Sequence, residues 1–332
     1  MKTKNATDVV EPKDHSLALQ KEKGQKGYKL RGGNEHSLWR RIWRNRASYM
    51  LMAPFMILFL IFTVIPVLAS IFISLTSFDM LSAPKWVGLM NYERMILDDP
   101  IFFKVLKNTL IFAFLTGPLS YVLSFVFAWL INETGRTLRT ILTLVFYMPV
   151  LAGNVYFVWG FLFSSDRYGV INGVLMQLGI LNEPMGWLID QNLIIWVLII
   201  VQLWMSLGTG FLSFVAGFQS MNKSLYEAGA MDGIKNRWQE LFYITIPSMA
   251  PQLMFGAVMQ IGSSFGVSAV ITNLAGFPTT QYSADTIVTY ILDVGTTRFE
   301  MGYASAFAVF LFVLMLLTNS IITRVLGRFS PD

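Results

Sequence analysis

The sequence has no cysteine and only two histidines among its 332 residues. The absence of cysteine excludes disulfides, thiolate metal sites and cysteine nucleophiles. Both histidines, His15 and His36, lie in a polar amino-terminal region. They cannot supply an imidazole metal cluster or a catalytic triad inside a bundle of helices. The sequence therefore predicts no catalytic residue, no metal site and no resident cofactor.

Charge is also scarce, and hydrophobic residues are abundant. Charged residues make up 14% of the chain and hydrophobic residues 54%, with a mean hydropathy of +0.54. That balance is too apolar for a soluble domain and indicates a membrane protein. Because a helix needs about 20 apolar residues to cross a bilayer, the uncharged stretches predict an all-α protein with six transmembrane helices. We number these spans 1 to 6 in chain order: 49–76, 108–131, 140–163, 193–217, 249–272 and 301–323.

The distribution of lysine and arginine predicts how these spans are oriented. Twelve basic residues lie in 1–48, and seven more lie between spans 2 and 3, between spans 4 and 5, and after span 6. The other three loops together hold six. Since basic residues are retained on the cytoplasmic side, we expect both termini to face the cytoplasm.

Residues 1–48 form a separate region before the first span. Residues 1–37 are lysine-rich and have no apolar core, so they predict a basic cytoplasmic tail and not a cleavable signal peptide. Tryptophan and arginine interleave in 38–46, a pattern typical of a helix lying on the headgroups of a lipid bilayer. Nucleic acid could use the same residues, but it is not an expected partner so close to a membrane span.

The spans lack ionisable side chains, and the chain lacks a nucleotide-binding loop. Proton- and sodium-coupled carriers usually place an ionisable group inside the membrane, so the uncharged spans disfavour ion coupling. No Gly-Lys-Ser/Thr sequence is present, so any ATP must be bound by a partner. Gly262 to Gly266 match the G-x-S-x-G nucleophile motif, but no histidine is available as its base. The same residues match G-x-x-x-G, which favours helix packing or pore lining.

Uncharged polar residues recur inside the spans at helical spacing. Three on span 5 fall at i, i+3 and i+4, and two on span 4 fall at i and i+4, so each set shares a face. Hydrogen bonds between helices would explain any one of them. Together they favour a path for a polar, uncharged solute such as a sugar, whose hydroxyl groups amides and hydroxyls can satisfy. The candidate path residues are Asn154, Tyr156, Gln202, Ser206, Gln260, Ser263 and Ser264.

The loop between spans 4 and 5 is longer than a simple turn. In 222–247, Asn222 or Ser224 can cap a first short helix, which Gly233 ends. A second short helix is predicted over 234–243, with Pro247 as its end. Such helices could lie across the end of the bundle and contact another subunit, or the segment could be an ordinary interfacial loop.

This loop closely resembles the EAA loop of the integral-membrane subunits of ATP-binding-cassette (ABC) importers. The family pattern is E-A-A, three residues, G, nine residues and I-x-L-P. The chain has E-A-G at 227–229, Gly233, and I-T-I-P at 244–247. It departs from the pattern in the glycine at 229, in the isoleucine at 246, and in having ten residues between Gly233 and 244.

Other residues are similar to the carbohydrate branch of that family, which includes the maltose and glycerol-phosphate permeases. They are the Asp232-Gly233 pair, the W-V-G-L-M-N-Y run at 86–92 and the Asn108-Thr109 pair. The resemblance implies a type I importer permease domain over 49–330, with its EAA loop at 222–247 providing a cytoplasmic coupling helix. It also implies a multi-pass protein of the bacterial cell membrane.

The resemblance further implies the partners and the residues that meet them. Glu227 and Asp232 would be charge partners of an ABC ATPase, and Ala228, Gly229 and Gly233 would allow its close approach. The other partners would be a second, non-identical permease subunit and an extracellular or periplasmic sugar-binding protein. The function implied is ATP-driven import of a sugar, in the form of an oligosaccharide, with this chain forming half of the path. An ion-coupled secondary sugar transporter is the alternative.

Overall fold

The structure is a computed structural model that describes Trp43, residues 45–152 and residues 155–327. The chain divides into two compact units, Met1–Ile65 and Pro66–Asp332. Most of the predicted tail and interfacial segment, 1–48, lies outside the described residues. The described part of the first unit is helical, with an α-helix at Arg46–Phe59 followed by a π-turn at Leu60–Val64.

Six regions are long and apolar enough to cross a membrane when each bent pair of helices is counted once. Four are single regions: Arg46–Ile73 (span 1), Phe102–Asn132 (span 2), Ile194–Ser220 (span 4) and Met301–Val325 (span 6). Span 3 is the pair Arg136–Leu151 and Val155–Leu162, bent by 86°. The second pair consists of Arg237–Ser248 and Ala250–Phe265 and is bent by 79°. We use span 5 for the part of this pair that begins at Ala250, because Arg237–Ser248 belongs to the loop before it. Each region overlaps its predicted range, so the prediction of an all-α protein with six spans is confirmed.

Spans 3, 4 and 5 are interrupted, whereas the sequence predicted continuous helices. Span 4 consists of Ile194–Met205 and Thr209–Ser220. Span 5 stops at Phe265 and resumes as Ala269–Leu274, and the first helix of span 3 stops at Leu151. The gaps of spans 4 and 5 each contain a glycine, at 208 and 266. Glycine is about 1 kcal/mol less favourable than alanine in a helix, which favours a break at these places without requiring one, since span 2 continues through Gly117.

Short elements occupy the segments between the spans. Strands β1 (Thr76–Ser77) and β2 (Lys85–Trp86) pair antiparallel, with Thr76 opposite Trp86. The short helices are Met90–Glu93, Val170–Gln177, Lys223–Met231, Arg237–Glu240, Ile246–Ser248 and Ile287–Leu292, with a 3-10 turn at Thr280–Tyr282. Further π-turns lie at Arg94–Asp98, Leu241–Thr245 and Asp293–Thr297.

Span 2 lies at the centre of the second unit. It packs against spans 3, 4 and 5 and against the helix Ile287–Leu292. Val105, Phe112 and Ala128 of this span are buried, and each belongs to a different one of three apolar clusters. Span 2 therefore connects all three parts of the core.

A largely buried turn at residues 279–287 is fixed to span 2 by hydrogen bonds. The side-chain amide of Asn108 donates to the backbone carbonyls of Tyr282, Ser283 and Asp285, at 3.2, 3.1 and 3.0 Å. The hydroxyl oxygen of Thr109 accepts a bond from the backbone N–H of Ile287 at 2.8 Å. The turn is thus held at several successive residues by two neighbouring side chains of one helix.

The 279–287 turn is also held from within and from span 5. The carboxylate of Asp285 accepts bonds from the backbone N–H and the hydroxyl of Thr279. The hydroxyl of Thr286 donates at 2.7 Å to the carbonyl of Val267, which lies in the gap of span 5. Gln281 and Tyr282 have positive φ angles of 51° and 54°. Such a conformation costs about 1–2 kcal/mol per non-glycine residue, so these bonds hold the turn against its own backbone preference.

Three tyrosines pack and form hydrogen bonds beside this turn. The ring of Tyr282 lies 5.8 Å from that of Tyr290, edge to face. The hydroxyls of Tyr290 and Tyr303 both donate to one carboxylate oxygen of Asp99, at 2.7 and 2.8 Å. Burial, and then the bond to Asp99, raise the pKa of Tyr290 above its usual range, so its hydroxyl remains a donor.

Candidate functional site

The EAA loop begins with the predicted first helix. Asn222 is its cap, because its side-chain oxygen accepts a bond from the backbone N–H of Ser224 at 3.1 Å. The helix runs over Lys223–Met231. It ends at Gly233, whose φ of +92° is one that a residue with a side chain rarely adopts. The first half of the loop therefore agrees with the helix–turn–helix prediction.

The second helix differs from its prediction at both ends. It begins at Arg237 and not at Ile234, because Asn236 caps it by accepting the N–H of Gln239 at 2.8 Å. It does not end at Pro247, which lies within Ile246–Ser248. Helical structure reaches Ser248 through the π-turn. The ten residues between Gly233 and Ile244 thus fill a three-residue loop, a short helix and part of that turn.

Gly229 allows the two helices of the EAA loop to pack closely on each other. A Cβ atom at this position would lie 2.5 Å from Cδ1 of Ile244 and 3.1 Å from Cδ1 of Ile234. The hydroxyls of Tyr226 and Thr245 form a further bond of 3.0 Å between the helices. Gly229 therefore permits close packing between two parts of this chain. That packing and the Tyr226–Thr245 bond hold the two helices of the loop together as one unit.

The first helix of the loop presents a mixed apolar and acidic face. Leu225 and Met231 are 44% and 89% exposed, and Ala228 between them is also exposed. The three recur at every third residue and share a face. Glu227 and Asp232, the predicted charge partners of an ATPase, are exposed beside it. Leu225 and Met231 were not among the residues predicted from the sequence, although their helical spacing is visible in it.

A cavity of about 530 Å³, lined by charged, polar and apolar residues, lies between the EAA loop and the turn between spans 2 and 3. Arg237 of the loop pairs with Glu133 of that turn at 3.3 Å and with Glu240 at 2.7 Å. The ring centres of Trp129, before the same turn, and Trp238, next to Arg237, lie 5.2 Å apart. The charged residues lining the cavity are Glu133, Arg139, Lys223, Glu227, Arg237 and Glu240.

Two of the three candidate path residues on span 5 lie together. Gln260 and Ser264 are 7% and 4% exposed and line a cavity of about 310 Å³ with Gly117 and Tyr121 of span 2. A Cβ atom at Gly117 would be 3.2 Å from the Ser264 hydroxyl, so the two spans approach closely there. Ser263 is exposed instead and bonds to the carbonyl of Gln260 at 3.0 Å. The sequence predicted that Gln260, Ser263 and Ser264 share one face, but only Gln260 and Ser264 line this cavity.

The candidates on spans 3 and 4 lie at or near the helix gaps. Ser206 is in the gap of span 4 and donates to the carbonyl of Leu203 at 2.6 Å, while Gln202 is half-buried one turn earlier. Tyr156 is half-buried after the gap of span 3, and Asn154 lies outside the described residues. A Cβ atom at Gly208 would be 3.8 Å from Val150. The gap of span 4 thus lies against the helix that ends at the gap of span 3.

A third cavity contains polar residues that the sequence analysis did not assign. It has a volume of about 700 Å³ and lies between the first helix of span 3 and the second helix of span 4. The side-chain Nε of Arg139 and the hydroxyl of Thr143 are buried without a hydrogen-bond partner among the described residues. The polar residues that line this cavity are Arg136, Arg139, Thr140, Thr143, Tyr147 and Gln219. Those on span 3 follow helical spacing, which was the available signal.

Close helix packing occurs at a different glycine from the one that the G-x-x-x-G motif suggested. A Cβ atom at Gly262 would meet nothing within 4 Å among the described residues. At Gly256 it would lie 2.5 Å from the ring of Phe214, and a Cβ at Gly210 would lie 3.7 Å from Gly256. Spans 4 and 5 therefore approach at Gly210 and Gly256, and Gly266 stands where the first helix of span 5 ends.

Comparison with known proteins gives consistent matches over most of the chain. Residues 120–330 match the family described as "Binding-protein-dependent transport system inner membrane component". The chain is 35% identical over 295 residues to the "Probable ABC transporter permease protein YesP" of Bacillus subtilis (strain 168), covering 86% of this chain and 91% of that protein. It is 26% identical to the "Arabinooligosaccharides transport system permease protein AraP" of the same organism, covering 90% and 95%.

A solved structure matches the fold as well. It is a crystal structure of a bacterial ABC transporter involved in the import of the acidic polysaccharide alginate, with a TM-score of 0.70 and 25% identity. The match covers 89% of this chain and 99% of that chain. None of the similar proteins named here is an ion-coupled carrier, so the alternative function gains no support. The six spans, the EAA loop and these matches show that the chain belongs to the binding-protein-dependent transport family, as an ABC importer permease subunit of its carbohydrate branch.

Proposed function

We propose that this permease subunit imports an oligosaccharide and couples to a separate ATPase through its EAA loop. The observation that carries the proposal is the geometry of that loop. Its two helices are joined by Gly229 and Ile244 into one body, and its first helix exposes an apolar and acidic face. A rigid helix with an exposed face of this kind is suited to a groove on a partner.

Within this proposal, each residue of the EAA loop has a separate role. Glu227 and Asp232 contact basic groups of the ATPase, and Ala228, between the exposed Leu225 and Met231, permits close approach. Gly229 and Gly233 act inside the loop, the first by allowing helix packing and the second by allowing the turn. ATP binds to the partner, and this chain carries no cofactor of its own.

The helix gaps support a path through the interrupted spans. Irregular backbone at membrane depth is tolerated only where protein buries it or where it lines a water-filled cavity. Polar side chains beside such gaps can therefore meet a solute. Tyr156, Gln202, Ser206 and Ser264 lie within about one turn of these gaps, and Gln260 lines the same cavity as Ser264. We assign these five residues to the path, with Asn154 and Ser263 as further members predicted from the sequence.

The proposed complex places the EAA loop in the cytoplasm. Both termini then face the same side, and the 279–287 turn faces outside. The second half of the path comes from a non-identical permease, and a binding protein delivers the oligosaccharide from outside. Names of the similar proteins support this substrate class, since AraP is named for arabinooligosaccharides and the solved transporter for alginate.

Affinity purification of the tagged chain from mild detergent tests the proposal. We expect an ABC ATPase and a second permease to co-purify, and the sample to hydrolyse ATP. Glu227→Ala should release most of the ATPase, because it removes one charge from the exposed face. Glu183→Ala is the matched control, since Glu183 is also exposed but lies in the loop between spans 3 and 4.

Two results would contradict the proposal. A chain that purifies alone, and whose reconstituted sugar uptake follows a proton or sodium gradient, would make it an ion-coupled carrier. Equal retention of the ATPase by Glu227→Ala and by Glu183→Ala would remove the assigned role of Glu227.

A further inference from the structure

Span 2 is continuous where its neighbours are interrupted. Its 31 residues, Phe102–Asn132, extend over about 46 Å at 1.5 Å per residue, and the helix continues through Pro118. Spans 3, 4 and 5 each contain a gap. Because a gap in a helix can act as a hinge, a displacement at one end of those spans can be absorbed before it reaches the other end. Span 2 has no such gap.

One end of span 2 contacts the EAA loop through side chains. Trp129, in the last turn of the span, packs against Trp238 with ring centres 5.2 Å apart. Glu133, the residue after the span, pairs with Arg237 at 3.3 Å. Arg237 and Trp238 begin the second helix of the loop, which Gly229 joins to the first. A displacement of the loop therefore acts on this end of span 2 through one ring contact and one exposed ion pair.

The other end of span 2 is fastened to the 279–287 turn. Asn108 binds three carbonyls of the turn, and Thr109 binds the N–H of Ile287. Both side chains are at least 95% buried. Thr286 continues the connection to the gap of span 5. Asn108 and Thr109 lie about 30 Å from Trp129, from 20 or more residues at 1.5 Å each.

We propose that span 2 transmits the movement of the EAA loop to the 279–287 turn, with Asn108 and Thr109 as the positioning residues. This inference rests on the proposed function, because it assumes that an ATPase moves the loop. It goes further by assigning the connection to one helix and to named side chains at both ends. The turn then moves with ATP because it is bonded to a helix that does not bend at a gap.

A matched pair of threonines tests the inference. Thr109 and Thr116 both lie on span 2, are 0% and 1% exposed, and donate to the carbonyl four residues before them. Only Thr109 also accepts a bond from the turn. Thr109→Val should therefore weaken the connection to the turn, which Asn108 still holds. Thr116→Val should not weaken it, and Thr109→Ser should restore the wild-type behaviour because it keeps the hydroxyl.

The readout is the reactivity of a single thiol in the turn. The chain has no cysteine, and Thr280 is exposed, so Thr280→Cys provides one maleimide target in this subunit. The complex with its ATPase and second permease is labelled without nucleotide and after trapping with ATP and vanadate. We expect trapping to change the labelling rate by about threefold or more, as for a shift between two populated states. Thr109→Val should reduce that change clearly below the change seen in Thr116→Val, without reducing bound ATPase or ATP hydrolysis.

Each outcome has a definite meaning. If no ATPase co-purifies with the Thr280→Cys chain, the proposed function fails. If the ATPase is present but trapping does not change the labelling rate, or if Thr109→Val retains the change as Thr116→Val does, the inference on span 2 is overturned.

Should Thr109→Val fail to assemble, the other end of span 2 gives a second test. Trp238→Ala removes the ring that contacts Trp129, and Trp238→Phe keeps an aromatic ring there. Trp238→Ala should lose the ATP-dependent change at Thr280→Cys, and Trp238→Phe should keep most of it. Full retention in Trp238→Ala would likewise overturn the inference.

Discussion

The EAA loop and the 279–287 turn are built from opposite kinds of contact. The loop is exposed, and its ion pair between Arg237 and Glu133 has side chains that are 65% and 40% exposed. The turn is buried except at Thr280, Gln281 and Tyr282, and most of its bonds come from side chains that water does not reach, such as Asn108 and Thr109. Buried hydrogen bonds are costly to break, whereas exposed ion pairs contribute little.

This difference indicates different tasks for the two regions. An exposed loop with its own internal packing can bind and release a partner without losing its shape. A buried turn with two left-handed residues keeps one conformation because its surroundings fix it. The EAA loop is therefore suited to bind a moving partner. The 279–287 turn is suited to move as a unit when span 2 moves.

The largest predicted effect comes from truncating an asparagine at the buried end. Asn108→Ala removes the donor of three carbonyls, two of them in fully buried bonds, and we expect it to lower the free energy of unfolding by about 2–4 kcal/mol. Asn236→Ala makes the same truncation in the exposed loop, where it removes a helix cap worth about 1 kcal/mol. Thermal melting in detergent measures both. Equal shifts in Tm would contradict the contrast between the two regions.

A smaller effect is predicted where spans 4 and 5 meet. Gly256→Ala would place a methyl group against the buried ring of Phe214, and overpacking of this kind costs about 1–3 kcal/mol. Gly262→Ala on the same helix meets open space and should change the free energy of unfolding by less than about 0.5 kcal/mol. A Tm for Gly262→Ala as low as that of Gly256→Ala would show that the motif glycine is the packing site after all.

The smallest effect is predicted for the exposed ion pair. Arg237→Gln should lower the free energy of unfolding by no more than about 1 kcal/mol, because the pair is largely exposed. The difference from wild type should shrink further as salt is added. Melting curves at low and high ionic strength measure this, and a large, salt-independent loss would place the pair in a buried environment.

The spans could be predicted from the sequence because hydropathy alone identifies them. Their interruptions could not, since a gap depends on whether neighbours satisfy the freed backbone groups. The carbonyl of Val267 is one such group, and its partner Thr286 lies 19 residues away. The glycines at 208 and 266 marked these places, but an isolated glycine is compatible with a continuous helix.

The EAA loop was largely predictable because its signals are local. Its first cap and its glycine turn follow from neighbouring residues. The packing of Gly229 on Ile244 was not predictable from spacing, because it depends on how the chain folds back after Gly233. Nor could the role of Asn108 and Thr109 be derived from the sequence, since their partners lie more than 170 residues later.

Site-specific photo-crosslinking at Met231 tests the coupling role of the EAA loop most directly. Met231 and Tyr168 are both 89% exposed, but only Met231 lies on the proposed contact face. A photoreactive residue at 231 should give an adduct with the co-purified ATPase, and the same residue at 168 should give none with it. An ATPase adduct that is absent from 231, or equally strong from 168, would contradict coupling through this loop.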